Sequence, residues 1–226
     1  EETEQDIATH MADNAAHGGI YHKNLLHNWD WRKPVNHKGL TSYSNVMYTI
    51  DRWLWTFAVA TRSVTVNSGY ITIANASGTI GIFAQKMEAL EPGTYTLSVL
   101  FTDGTVENKT LTWDGLTLTE QSTSFGTLSL RLVDGFPTFA MGIGAGKSIN
   151  VKAVKLEKGQ ATTLSADSAA DYGEQLLLCK RYYRLWSTEE ARTGALKEVG
   201  LMRLVSPTVG TIDIGGSTYY FASAEL

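Results

Sequence analysis

The chain has 226 residues, 43% of them hydrophobic and 19% charged, with a formal net charge of −4. That apolar content suffices for one ordinary β domain or two small ones, and a mildly acidic chain without a basic run argues against nucleic acid as a partner. No apolar run approaches the roughly 20 residues that cross a membrane, no signal-peptide core opens the chain, and the single cysteine, Cys179, excludes an internal disulfide framework. A start at Glu1-Glu2 rather than Met reads as part of something longer.

Residues 4–17 are rich in good helix formers, and Gly18-Gly19 would stop a helix. Ile7, His10, Asn14 and His17 fall on the 3–4–3 spacing of a coiled-coil seam, where polar residues set register and strand number. The spacing predicts a helical stalk over 1–19, with a solvated linker helix as the plain alternative; a seam too polar for a lone helix is one reason to expect that it assembles a homotrimer. Residues 20–44 have no helical or strand period and read as an ordered loop. Tyr21, Trp29 and Trp31 are too large to be buried within that segment's own length, a second reason to expect a parallel homotrimer.

From 46 to 157 the period is two. Trp53, Trp55, Phe57 and Val59 alternate with Arg52, Leu54 and Thr56, and so large an apolar face as Trp53, Trp55 and Phe57 is expected in the core. Two alternating strands flank a turn at Asn67-Ser68-Gly69, and Tyr95, Leu97, Val99 and Phe101 share a face after Pro92-Gly93. Strands at steps of about ten residues, joined by Gly, Asn and Asp turns, predict an antiparallel jelly-roll sandwich over 45–158. Small polar residues at 159–170 mark a boundary. Residues 171–186 read as a helix with Leu176, Cys179, Tyr183 and Trp186 on one face, and the tail to 226 as a small β cap, so that 171–226 forms an α+β unit.

Three stretches resemble one family. Asn24-Leu25-Leu26, then Arg32-Lys33-Pro34-Val35-Asn36 with Gly39, then Ile50-Asp51-Arg52-Trp53, resemble an opening common in tail-fibre and tail-tip proteins of phages and prophages of Gram-positive bacteria. Lys155-Leu156-Glu157-Lys158-Gly159 is similar to the end of the carbohydrate-binding-type jelly roll in those proteins. Cys179 with Arg181-Tyr182-Tyr183, followed by a short β unit, resembles their C-terminal signature; the stretch between Trp186 and Met202 departs from it in being short and unusually charged. The resemblance spans residues 24–226. It implies a place in the virion tail, trimeric assembly, contacts with other tail or baseplate proteins, and attachment to a host surface carbohydrate after synthesis in the bacterial cytoplasm.

The residues themselves favour binding over catalysis. The run Gly142–Ser148 lacks the phosphate-loop spacing, because the required first glycine falls on Met141, and it reads as a Gly-rich hairpin. All five histidines lie within the first 37 residues without metal-ligand spacing, so neither metal nor cofactor is expected. Cys179 sits in an apolar stripe, and Asp103, Asp114 and Asp134 lie in turns rather than as a glycosidase pair. Sugar binding needs aromatic faces and planar polar side chains. Parity sends Tyr70 away from Ile71 and Ile73, and Arg131 away from Leu128, Leu130 and Leu132. Trp113 falls at a Trp-Asp-Gly turn, where it would be exposed. Tyr70, Trp113, Arg131 and Gln85 are therefore the expected ligand contacts, with a contact between protomers as the alternative for each. The expected function is non-catalytic attachment to a surface glycan; a structural trimer spacer and a glycan-degrading enzyme are the alternatives.

Overall fold

A computed structural model describes residues 23–188, 208–214 and 216–224. The stalk expected at 1–19 and the aromatic Tyr21 lie outside the described residues, as does most of the charged stretch after Trp186. The described chain is mainly β and its strand pairs are antiparallel. Its first eleven strands are β1 (Ser42–Ser44), β2 (Leu54–Trp55), β3 (Arg62–Asn67), β4 (Tyr70–Asn75), β5 (Gly81–Lys86), β6 (Gly93–Phe101), β7 (Val106–Trp113), β8 (Thr119–Thr123), β9 (Gly126–Val133), β10 (Phe136–Ile143) and β11 (Lys147–Lys158). They form a six-stranded sheet in the order β1-β3-β4-β11-β6-β7 and a five-stranded sheet in the order β2-β5-β10-β9-β8.

Alternation decides what each sheet buries. Ile71, Ile73, Leu97, Val99 and Leu156 of the first sheet and Phe83, Leu128, Leu130, Phe139 and Met141 of the second enter one hydrophobic cluster. The hairpin between β3 and β4 pairs Asn67 with Tyr70 across Ser68-Gly69, and Gly69 takes the positive φ of 84° that such a two-residue turn requires. The turn at Gly144–Gly146 does not close a hairpin: β10 and β11 lie in different sheets, so this Gly-rich stretch carries the chain across the core.

The aromatic segment near the start is an edge, although it holds little regular structure. β4 pairs β11 only from Lys147 to Val151. Beyond that point residues 25–31 take the vacated side of β11: Leu25 N–H donates to Leu156 O, Val154 N–H to Trp29 O and Trp31 N–H to Lys152 O. Trp29 and Trp31 are consequently buried against the chain's own sheets, which corrects the expectation that they need a partner chain. Asn28 holds the segment's path. At φ 50°, a conformation Asn tolerates better than most residues, its side chain donates to Val35 O and Asp51 O and accepts from Val35 N–H. Its carbonyl accepts both indole N–H groups, from Trp31 and Trp53.

Three further expectations are corrected. Phe57 is 72% exposed rather than core, because β2 ends at Trp55 and the chain bends after it. Leu132 is also exposed, lying near the end of β9 beyond the covered part of the sheet. The helix is shorter than 171–186: α1 spans Tyr172–Lys180, with Asp171 capping Glu174 N–H. A tightened last turn closes it, Tyr182 N–H donating to Cys179 O. The aromatic run that follows becomes β12 (Tyr183–Trp186), which pairs with β14 (Ser217–Ser223); β14 also pairs with β13 (Thr208–Ile214). Cys179 and Tyr183 are buried as expected, but from helix and strand respectively.

Residues 159–170 are irregular yet tied down. The buried Lys155 ammonium reaches Asp167 at 2.7 Å and Thr163 Oγ1 at 2.5 Å, while Glu157 accepts from Thr163 N–H. Asp30 accepts from Ala170 N–H and holds Arg32.

Candidate functional site

The four expected contacts do not form one site. Trp113 is 1% exposed: β7 continues through it, so its indole keeps the inward parity of Leu111 and joins the core cluster. Gln85 is also 1% exposed, and its amide brackets the His27 backbone, donating to His27 O and accepting from His27 N–H at 2.7 Å each. Trp113 is corrected from a surface contact to a core residue, whereas Gln85, though buried, lines the second of the clefts described below. Tyr70 and Arg131 do face outward, as parity required, but from different sheets, so they point away from one another. Tyr70 is half-buried, and Arg131 reaches Glu120 at 3.4 Å.

Arg131 belongs to a polar stripe. On β9, Thr127, Ser129 and Arg131 alternate with the buried Leu128 and Leu130, and each carries a buried polar atom without a hydrogen-bond partner among the described residues (Thr127 Oγ1, Ser129 Oγ, Arg131 Nε).

Two larger clefts flank the segment Leu25–His27, and both residues line both of them. The cleft of about 520 Å³ runs toward α1. Most of its polar side chains already serve the framework: Asn24 bonds β11, Asp167 bonds Lys155, Asp171 caps α1, and Gln175 accepts from Asn28 N–H. The second cleft, of about 500 Å³, lies between Leu25–His27, the loop Met87–Glu91 and the turn Arg181–Tyr182. Here apolar groups (Leu25, Met87, Leu90), tyrosine side chains and charged groups of both signs converge. Ligand sites combine apolar surface with a few aimed polar groups, and this cleft offers both.

Local chemistry sets the walls of this cleft. Arg52, at φ 72°, donates to Lys86 O at 2.6 Å and lays its guanidinium 3.5 Å above the Tyr182 ring. The Tyr182 hydroxyl donates to Glu88 at 2.9 Å, and Arg181 approaches the same carboxylate at 3.5 Å. Burial pushes the Tyr182 phenol above its ordinary range, and its bond to Glu88 adds to this, so it remains a donor. Tyr95 closes the far end, donating to Glu91 O. His27 lies 5.8 Å from the Tyr182 ring. Its imidazole is lowered to about 4, first by burial and then by the charges of Arg52 and Arg181, and is therefore neutral near pH 7.

A smaller cavity of about 230 Å³, lined by Lys38, Tyr48, Ile50, Tyr183 and Phe221, separates the C-terminal sheet from the body. Among the described residues no group of three His, Cys, Asp or Glu side chains is placed to hold a metal ion, and no helix is long and apolar enough to cross a membrane.

The expected contacts missed His27, Glu88, Arg181 and Tyr182. A signal was nonetheless present: the segments singled out by resemblance converge on this cleft, with Leu25, His27 and Arg52 from the first, Lys158 from the second, and Arg181 and Tyr182 from the third. No protein-family model matches the chain, and no curated protein matches it.

Proposed function

We propose that the chain is the C-terminal region of a bacteriophage or prophage tail-fibre protein that attaches the virion to a host surface glycan without catalysis or cofactor. In this reading it works as a homotrimer beside other tail or baseplate proteins, and the cleft between Leu25–His27, Met87–Glu91 and Arg181–Tyr182 holds the sugar. The observation that carries the proposal is the convergence of all three resembling stretches on that one cleft. Its composition suits the role: aromatic and apolar surface for sugar C–H faces, with charged groups and a neutral imidazole at hand. A jelly-roll topology is supported by the nesting of the crossings. β4 leads to β5 and β10 to β11 across the core, while β4 pairs with β11 and β5 with β10.

The same convergence also supports a purely structural spacer, since Arg52, Tyr182 and Glu88 fasten the C-terminal unit to the sheets. Screening the intact chain against an array of bacterial surface polysaccharides, then mapping amide shifts with the best binder, separates the two. Perturbations should gather at Leu25, His27, Leu90 and Arg181. A map that leaves them untouched removes the cleft from this reading, and a monomeric mass in light scattering removes the trimer.

A further inference from the structure

Charge around the cleft is unbalanced in a way that selects among glycans. Its lining carries Arg52, Lys158 and Arg181 against Glu88 and Glu91. Glu88 is engaged by the Tyr182 hydroxyl and lies against Arg181, so its charge is largely answered from within the wall. Lys158 stands exposed at the end of β11, its stem passing the start of β6, with no ion pair among the described residues. Arg181 has five N–H donors, and its ion pair with Glu88 is long, at 3.5 Å. Arg52 is 2% exposed, so its charge sits at the floor with little water to screen it. The His27 imidazole reads the resulting field, because Arg52 and Arg181 act on it more strongly than Glu88 does.

Resting on the reading of this cleft as a glycan site, we propose that it takes an acidic sugar, whose carboxylate or phosphate seats between Arg181 and Lys158 at the rim. Arg181 can meet such a group with two parallel N–H donors, and Lys158 adds a point charge. A cationic ligand would face the same field with the wrong sign, and a neutral sugar would gain nothing from it.

The test uses the intact chain and three probes: D-glucose, D-glucuronate and glucose 6-phosphate. Binding is followed by the imidazole resonances of His27 and the ring resonances of Tyr95 and Tyr182. At low ionic strength at least one anion should bind about tenfold or more tighter than glucose, the gain expected of a charge-assisted contact. Which anion leads distinguishes carboxylate from phosphate. The preference should shrink as salt is raised. Arg181→Gln and Lys158→Gln should each remove most of the preference for the anion over glucose, and the exposure of Lys158 makes its variant the safer one for folding. An anion should also raise the pKa of His27 by cancelling the positive field. Glucose binding as tightly as both anions overturns the acidic-sugar inference and leaves the glycan reading standing. Silence of all three rings toward every probe overturns both.

Discussion

Residues 24–55 and the C-terminal three-stranded sheet are opposites in construction. The first contains only β1 and β2 as regular structure, yet Leu26, Trp29, Trp31, Val35, Ile50, Trp53, Leu54 and Trp55 are all buried. The second is almost wholly strand, yet β13 alternates between exposed and half-buried positions, and Val209 is 46% exposed. Regular pairing and burial are therefore separate contributions. In the first region backbone groups are satisfied by isolated bonds to β11 and within loops and by side chains, chiefly Asn24, Asn28, Gln85 and Asp51, which leaves the aromatics to fill the core. In the second, strands satisfy one another and bury little.

This difference predicts unequal responses to mutation. Trp53→Ala should destabilise by about 3–5 kcal/mol through a core cavity, since Trp53 packs on Trp31, Phe83 and Phe139. Asn28→Ala should cost about 2–4 kcal/mol, because Val35 N–H and two carbonyls lose their partner in a buried site. Val209→Thr in the outer strand should stay within about 0.5 kcal/mol. Urea unfolding of the three variants checks the ranking, and equal midpoints for Asn28→Ala and Val209→Thr would break the comparison.

Acid should weaken the first region selectively. His27 ionises at about 4 in the folded chain and near 6.5 when unfolded, so the unfolded state binds the proton more readily. Its contribution is present in full above pH 6.5, falls as pH drops toward 4 and is gone below that. The loss amounts to at most about 3 kcal/mol. His27→Gln should flatten this part of the stability profile; an unchanged slope between pH 6.5 and 4 would contradict the assignment.

A small effect of the opposite sign lies on β9. Ser129→Ala removes a buried hydroxyl that lacks a partner, so it should be neutral or stabilising by up to about 1 kcal/mol. A loss of more than that in melting experiments would mean that the hydroxyl is bonded in solution.

The legible part of the fold was local. Strand parity at Ile71, Ile73, Leu128 and Leu130 and the turn at Asn67–Gly69 follow from neighbours in sequence, and the structure has them as expected. The start of the helix at Asp171 was likewise readable from the boundary before it. What escaped depends on distant partners. The burial of Trp113 depends on β7 running on through it in pair with β6, and the inward turn of Gln85 on the His27 backbone, 58 residues away. The end of α1 is set by strand pairing with β14, which no helical pattern contains. The cleft is the extreme case, since its walls come from near residues 25, 52, 88, 158 and 181. Only the resemblance singled out the positions near 25, 52, 158 and 181, without indicating that they touch, and it passed over the loop at Glu88.

Glycan binding is proposed to reside in this cleft and not on the outward faces of the sheets. The most direct measurement compares binding to a recognised surface polysaccharide for two double variants with matched melting temperatures. One removes Arg181 and Lys158 as Ala, and the other removes Tyr70 and Arg131 as Ala. The first should lose at least about tenfold in affinity, as expected when charge-assisted contacts are removed, and the second should bind as the parent does. Loss confined to the Tyr70 and Arg131 variant would contradict it and move the site to the sheet faces.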